Sequence, residues 1–352
     1  MEYDNWNLDV LKKQLNNFQE GDESYLLLED LIEIQRLKDV DLSAFDLDDE
    51  SFIDQLDKSK MILNKYYEFM PFIDKFSKYI IKPYLDNPDI VIEPSRDEVL
   101  SFTHDFYHDL SPVFYKKFMN FYSQRKDCVR FSDNRSASFY ITSLNYSYID
   151  LQETYCIDEF YAAVHEFGHG IANTFAVTNY ETSVYVELFP IFMEFLVSDK
   201  LLSYYNDKDI KDYVALNDYN ELAVHSTYAK ELTFFNEGLH VTSSYMRRKQ
   251  LLNALCKISN DTKKKTKKMF DITLDERFCY LIPYLVAMEL YYKYKDDPEK
   301  TLYTLENIIQ LKDNFYTSLI KNDILLNEHS SEYVDKIKRE NANVRRKLPT
   351  NY

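Results

Sequence analysis

The sequence predicts a mainly α-helical protein carrying a small β-sheet, and three observations predict it. Only four glycines occur in 352 residues, at 21, 168, 170 and 238, so the turns and hairpins of an all-β fold would lack their usual residue. Apolar residues recur at steps of three and four over long stretches, which is the period of one helix face. Segment 137–151, ASFYITSLNYSYIDL, is instead dense in β-branched and aromatic residues and reads as one or two strands.

Taken in order, Ile62, Tyr66, Phe69, Ile73, Phe76 and Ile80 lie along one face of an amphipathic helix over 62–80. The pattern breaks at Pro83, Pro88 and Pro94, where the chain reads as an extended linker around Ile90-Val91-Ile92. That places a boundary between an N-terminal helical lobe, 1–95, and a larger lobe, 96–352. The strands at 137–151 follow, then a helix from 155 to about 176 that buries Ile157, Phe160, Tyr161, Val164, Gly168, Ile171 and Phe175. A further helix is expected at about 184–204, where Pro190 requires either a start close to Glu187 or a kink. Most of the 31 tyrosines and 24 phenylalanines are fillers on such faces.

Composition excludes several classes. With 45% hydrophobic and 29% charged residues the chain is globular, and no stretch is long and apolar enough to cross a bilayer. The opening MEYDNWNLDVLKKQ has neither a basic segment nor an apolar one of the secretory kind, so a cytoplasmic location is expected. Cys128, Cys156, Cys256 and Cys279 are too far apart in sequence for a zinc finger or a stapled small domain, and read as reduced thiols. A formal charge of −17 argues against a nucleic-acid partner and favours cationic ligands at long range. The basic run KKKTKK at 263–268 reads as a solvated face.

The strongest chemical signal is His165-Glu166-Phe167-Gly168-His169, a match to H-E-x-x-H. Four residues make just over one helical turn, so both imidazoles project from one face and can share a tetrahedral zinc ion. Glu166 stands one residue round, where its carboxylate can take a proton from an attacking water activated by the metal. Chance occurrence of the pattern with seven histidines is on the order of 1 in 100, and its setting in a periodic helix lowers that further. A catalytic zinc takes a third protein ligand, for which Glu181, Glu187 and Glu194 are the candidates. Glu187 and Glu194, two turns apart, share a helix face, so one can bind the metal while the other steadies a ligand. His104, His108, His225, His240 and His329 read as surface or structural residues.

These residues resemble the thimet oligopeptidase and oligoendopeptidase F family of zinc metallopeptidases. The likeness rests on HEFGH followed by VYVELFPIFME, in which a Glu in an aromatic and valine-rich run precedes a second Glu by seven residues. FLVSDKLL after Glu194 is also similar, and the likeness covers roughly residues 113–320. It implies a gluzincin-like, two-lobed helical metallopeptidase with a small sheet beside the motif helix, its catalytic domain being 96–352. It further implies one zinc ion per chain on His165, His169 and Glu187, Glu166 as general base, and Glu194 as a carboxylate behind the ligands. The run RFCYLIPYLVAMELYYKY is similar to the family's late helix, whose tyrosines donate to the tetrahedral intermediate; Tyr280 and Tyr284 have its four-residue spacing.

The chain also departs from that pattern. The interval from HEFGH to Glu187 is short and lacks a glycine-bearing loop, which leaves Glu194 as an alternative ligand. Ala172 replaces a family histidine, no histidine precedes Tyr280 at the usual distance, and the family's proline is shifted to Pro190. From the shorter N-terminal part we expect a more open cleft, and from 146–151 an edge strand that holds a peptide by strand addition. The expected activity is hydrolysis of internal peptide bonds. A metalloprotease dedicated to one protein target, toxin- or effector-like, and an inactive peptide-binding relative are the other classes.

Overall fold

The computed structural model describes residues 61–79, 81, 93–141, 146–175, 183–205, 207–240, 267–310 and 314–345. The linker around Pro83, Pro88 and Ile90–Ile92, Glu181, Cys256, the basic run at 263–266 and the side chain of His240 lie outside these. The chain packs as two compact units, 1–74 with 229–277, and 75–228 with 278–352. The larger contains every residue singled out above for metal chemistry.

The first periodic stretch is buried as expected, with Tyr66, Phe69, Ile73 and Phe76 all inside. It is not one helix, however. A 3-10 turn at Tyr67–Phe69 leads into α1, Met70–Phe76. Pro71 is the reason, since it has no N–H for the carbonyl four residues earlier and its ring crowds the preceding turn.

In the larger unit α2, Arg96–Leu110, starts at a capping box in which Ser95 and Glu98 each satisfy the other's backbone N–H. Ser111 then caps α3, Pro112–Tyr122, with Pro112 in the first turn where its missing donor costs nothing. After a single turn at Arg125–Cys128 come β1, Val129–Ser132, β2, Ala137–Ile141, and β3, Tyr146–Gln152. The sheet order is β1-β3-β2, with β1 parallel and β2 antiparallel to β3. Two of these strands were expected and β1 was not, its four residues being too few to show a period.

The order corrects one expectation. The strand at 146–151 is central, with Ile149 paired to Val129 on one side and Ser138 on the other, so it has no free edge to offer a peptide. Its residues Ile149 and Leu151 are buried, and α4, Asp158–Phe175, packs against the strand. Asp150, only 3% exposed, is held by Arg130 and Ser132 of β1, which pins the parallel pair.

α4 packs extensively and antiparallel against α5, Ser183–Tyr205. The remaining helices of the described residues are α6, Lys208–His240, α7, Lys267–Asp296, α8, Pro298–Ile309, α9, Phe315–Lys321, and α10, Ser330–Arg345. The protein is thus mainly helical with a small mixed sheet beside the motif helix, as its sequence predicts. No helix among the described residues is long and apolar enough to cross a membrane.

Candidate active site

The site is built where α4 meets α5. Gly168 of α4 lies against the backbone of α5; a Cβ added there would come within 3.2 Å of the Pro190 Cα. That close approach brings the Glu187 turn of α5 onto the histidine face of α4. α5 continues through Pro190 from Ser183 rather than starting near Glu187. Having no N–H, Pro190 leaves the Val186 carbonyl without its usual helical donor, and that carbonyl bears on the His169 ring.

The rings of His165 and His169 stand 4.7 Å apart at 81°. Glu187 Oε2 lies 3.6 Å from His165 Nε2 and 3.7 Å from His169 Nε2. These separations are too long for hydrogen bonds and close to the spacing of about 3.3 Å between two ligand atoms on a tetrahedral zinc. Glu187 Oε2 is buried with no hydrogen-bond partner, an expensive state for a carboxylate unless a cation completes it. The donor set of two imidazoles and one carboxylate suits zinc and fits the ion that the sequence implies.

Behind these atoms, His165 Nδ1 donates to Glu194 Oε1 at 2.7 Å. That bond fixes the ring so that the Nε2 lone pair faces the cluster. Glu194 therefore meets His165 on the side away from Glu187, and it is Glu187 that stands at both Nε2 atoms. Glu181 lies outside the described residues.

Electrostatics follow from burial and crowding. Burial alone would lower the His165 pKa, but the charge and hydrogen bond of Glu194, with Glu187 and Glu166, outweigh it and carry the ring up to about 9. His169 is driven well below its ordinary value by burial and by the charge of His165. Burial raises Glu187 to about 7, and Glu194 and Glu166 add to the rise. Glu166, 7% exposed, is raised chiefly by burial, with His165 opposing. A raised carboxyl accepts and returns protons near neutral pH more readily than a solvated one. Arg135, just before β2, acts on both Glu166 and Glu187; it carries no pattern in sequence that would single it out.

The two tyrosines separate. Tyr280 is half-buried, while Tyr284 is buried, stacked face to face on His225 at 3.8 Å and 6°. The other histidines have local partners: His104 contacts Asp105 and Tyr115, His108 contacts Asp109, and His329 bonds buried Glu289. His225 is 6% exposed and bonds the Glu221 carbonyl through Nδ1, a core position and not a surface one.

The fold thus sets a small sheet against an H-E-x-x-H helix, with a glutamate from the next helix facing both histidines. Comparison with solved structures agrees at the level of fold. The chain is similar to PZ peptidase A determined with an inhibitor, at 13% identity and a TM-score of 0.56, covering 97% of this chain and 70% of that one. It is similar to an oligoendopeptidase F from Bacillus anthracis str. Ames, at 12% identity and a TM-score of 0.53, covering 96% of this chain and 64% of that one. A peptidase from Chlamydophila abortus gives 12% identity, a TM-score of 0.55, and coverage of 96% and 63%. The chain thus spans under two thirds of the latter two. No sequence-family model matches it, and neither does any curated protein.

Proposed function

We propose that the chain is a zinc metalloendopeptidase that hydrolyses internal bonds of peptides. The observation that carries this reading is the Glu187 carboxylate oxygen, buried, without a hydrogen-bond partner and facing the Nε2 atoms of both H-E-x-x-H histidines. His165, His169 and Glu187 hold the ion, and Glu194 orients His165. When bound, zinc supplies Lewis acidity toward the scissile carbonyl and the attacking water.

The chain's own groups do the rest. Glu166 takes the water's proton and passes it to the leaving amine, in a setting whose burial raises its carboxyl above the ordinary value. One of the two late-helix tyrosines, Tyr280 or Tyr284, is the proposed donor to the oxygen on which charge develops, as the family resemblance implies. An extended peptide beside the sheet would pair with β1 or β2, since β3 has a neighbour on each side.

The test is metal content by mass spectrometry on the protein and on Glu166→Gln, with hydrolysis of unrelated fluorogenic peptides followed on the same samples. Near-stoichiometric zinc in both, with hydrolysis lost only in the variant, is the expected result. Zinc without hydrolysis of any peptide turns the reading toward a protease dedicated to one protein target. Absence of zinc in both after reconstitution overturns it.

A further inference from the structure

A second feature lies behind His165, on the side of Glu194. One turn from His165, Tyr161 bonds Ser198, and Ser198 in turn donates to Asp218 of α6 at 2.8 Å. Beyond Glu194 the space between α4, α5, α6, α7 and α10 opens into a cavity of about 450 Å³. That is within the size range of small-ligand sites. Glu194 lines this cavity and bonds His165, one of the three candidate ligands.

Its chemistry is lopsided. Seven carboxylates line it against two lysines, Lys211 and Lys336. Several carboxylates are already engaged: Glu194 by His165, Asp158 by Tyr213, and Asp199 by Tyr291. Asp218 likewise takes the Ser198 hydroxyl, but neither its charge nor that of Glu221 is balanced by a cation in contact. Among the described residues no lysine or arginine ion-pairs with either; Lys336 reaches Asp218 only at longer range. His225, 3.8 Å from Glu221, is held neutral by burial and is pushed down to about 4, while the charge of His165 also reaches Glu221. Glu221 is half exposed, with 48% of its side chain open.

A second observation points to a ligand. Tyr284 is 3% exposed, yet its hydroxyl lines this cavity without a hydrogen-bond partner. Tyr333 bears on its ionisation without making a hydrogen bond to it. A buried phenol usually finds a partner, and one facing an acidic cavity is an acceptor left for an incoming donor. Planar N–H donors carrying positive charge would satisfy the phenol and the two carboxylates together.

We propose that this cavity is a cation-recognising subsite of the peptide-binding groove, in which Asp218, Glu221 and Tyr284 receive a positively charged group of the substrate. The proposal rests on the peptidase reading and names its substrate class, peptides that carry an arginine or lysine side chain or a free α-ammonium near the scissile bond. The overall charge of −17 draws the same peptides in at long range.

The test is the affinity of zinc-loaded Glu166→Gln protein for four fluorescent peptides of one sequence, measured by anisotropy. Each carries either arginine or its uncharged isostere citrulline, with the N-terminus free or acetylated. The arginine peptide is expected to bind at least about tenfold more tightly than the citrulline peptide. Asp218→Asn with Glu221→Gln should bring it down to the citrulline level. A preference that follows acetylation instead identifies the α-ammonium as the occupant and supports the subsite equally. Binding of all four peptides with equal affinity overturns the subsite and leaves the peptidase reading standing. Failure of all four to bind overturns both. The comparison of arginine with citrulline needs no mutation in the cavity, so it stands even if the double variant does not fold.

Discussion

Glu194 Oε1 lies 2.7 Å from His165 Nδ1, on the side of the imidazole opposite Glu187. The bond selects the tautomer whose Nε2 lone pair is free for a metal and makes the ring more basic. Glu194→Gln keeps the size but loses the charge, and is expected to weaken zinc affinity by about 10- to 100-fold. Competition with a fluorescent chelator measures this. An unchanged affinity would remove Glu194 from any role in holding the metal.

The two glycines of the motif helix should respond oppositely to the same substitution. At Gly168 a Cβ would meet the Pro190 Cα at 3.2 Å, and backbone on a buried helix gives way reluctantly. Gly168→Ala is expected to cost about 1–3 kcal/mol and to weaken zinc binding by shifting Glu187. At Gly170 the nearest atom is a ring carbon of Phe121 at 3.5 Å, an ordinary contact. Gly170→Ala should gain about 0.5–1 kcal/mol from helix propensity. Denaturant titration of both variants decides it, and equal stabilities would refute the close-approach argument.

For the tyrosines, the group that stabilises developing charge is recognised by a fall in kcat with KM little changed. Tyr280→Phe and Tyr284→Phe should differ in this respect, with the true donor losing about 100- to 1000-fold. A rise in KM alone for Tyr284→Phe would assign that hydroxyl to binding. Loss of neither parameter in both variants would place the oxyanion donor elsewhere.

Asp218 gives stability a pH dependence of defined sign. Burial, with Glu340 and Asp199 adding, outweighs the Ser198 hydrogen bond and the charge of Lys336 and pushes its carboxyl up to about 7. Because the folded value lies above the unfolded one, the folded state holds the proton more tightly. The resulting stability is complete below about pH 4 and is lost as pH rises toward about 7. Asp218→Asn keeps an acceptor for Ser198 and removes the penalty. Its advantage over the parent should grow from near zero at pH 4 to on the order of 1–3 kcal/mol at pH 8. Parallel curves from thermal denaturation across that range would contradict the shift.

Much of this was legible in the residues. The 3.6-residue period over 155–176 placed the motif helix within three residues of its observed start, because a long buried face repeats its apolar positions many times. That His165 and His169 share one helix face was legible for the same reason, since four residues make about one helical turn. Less legible was β1, whose four residues pair with a strand across a connection and carry no pattern of their own. The edge expected at 146–151 was wrong because strand order depends on which segments pair, and composition is silent on that.

The glutamates mark the boundary most sharply. Sequence alone determined that Glu187 and Glu194 share a face of one helix, since seven residues are nearly two turns. Which of them meets the Nε2 atoms was decided only by how α5 crosses α4, and that crossing is set by the missing side chain of Gly168 against Pro190. In the same way the sequence supplied a large excess of carboxylates, but only the packing of α6, α7 and α10 gathered Asp218, Glu221 and Tyr284 around one cavity beside the metal-ligand cluster. Periodicity is a local property written in consecutive residues; the meeting of helices depends on contacts between residues far apart in the chain.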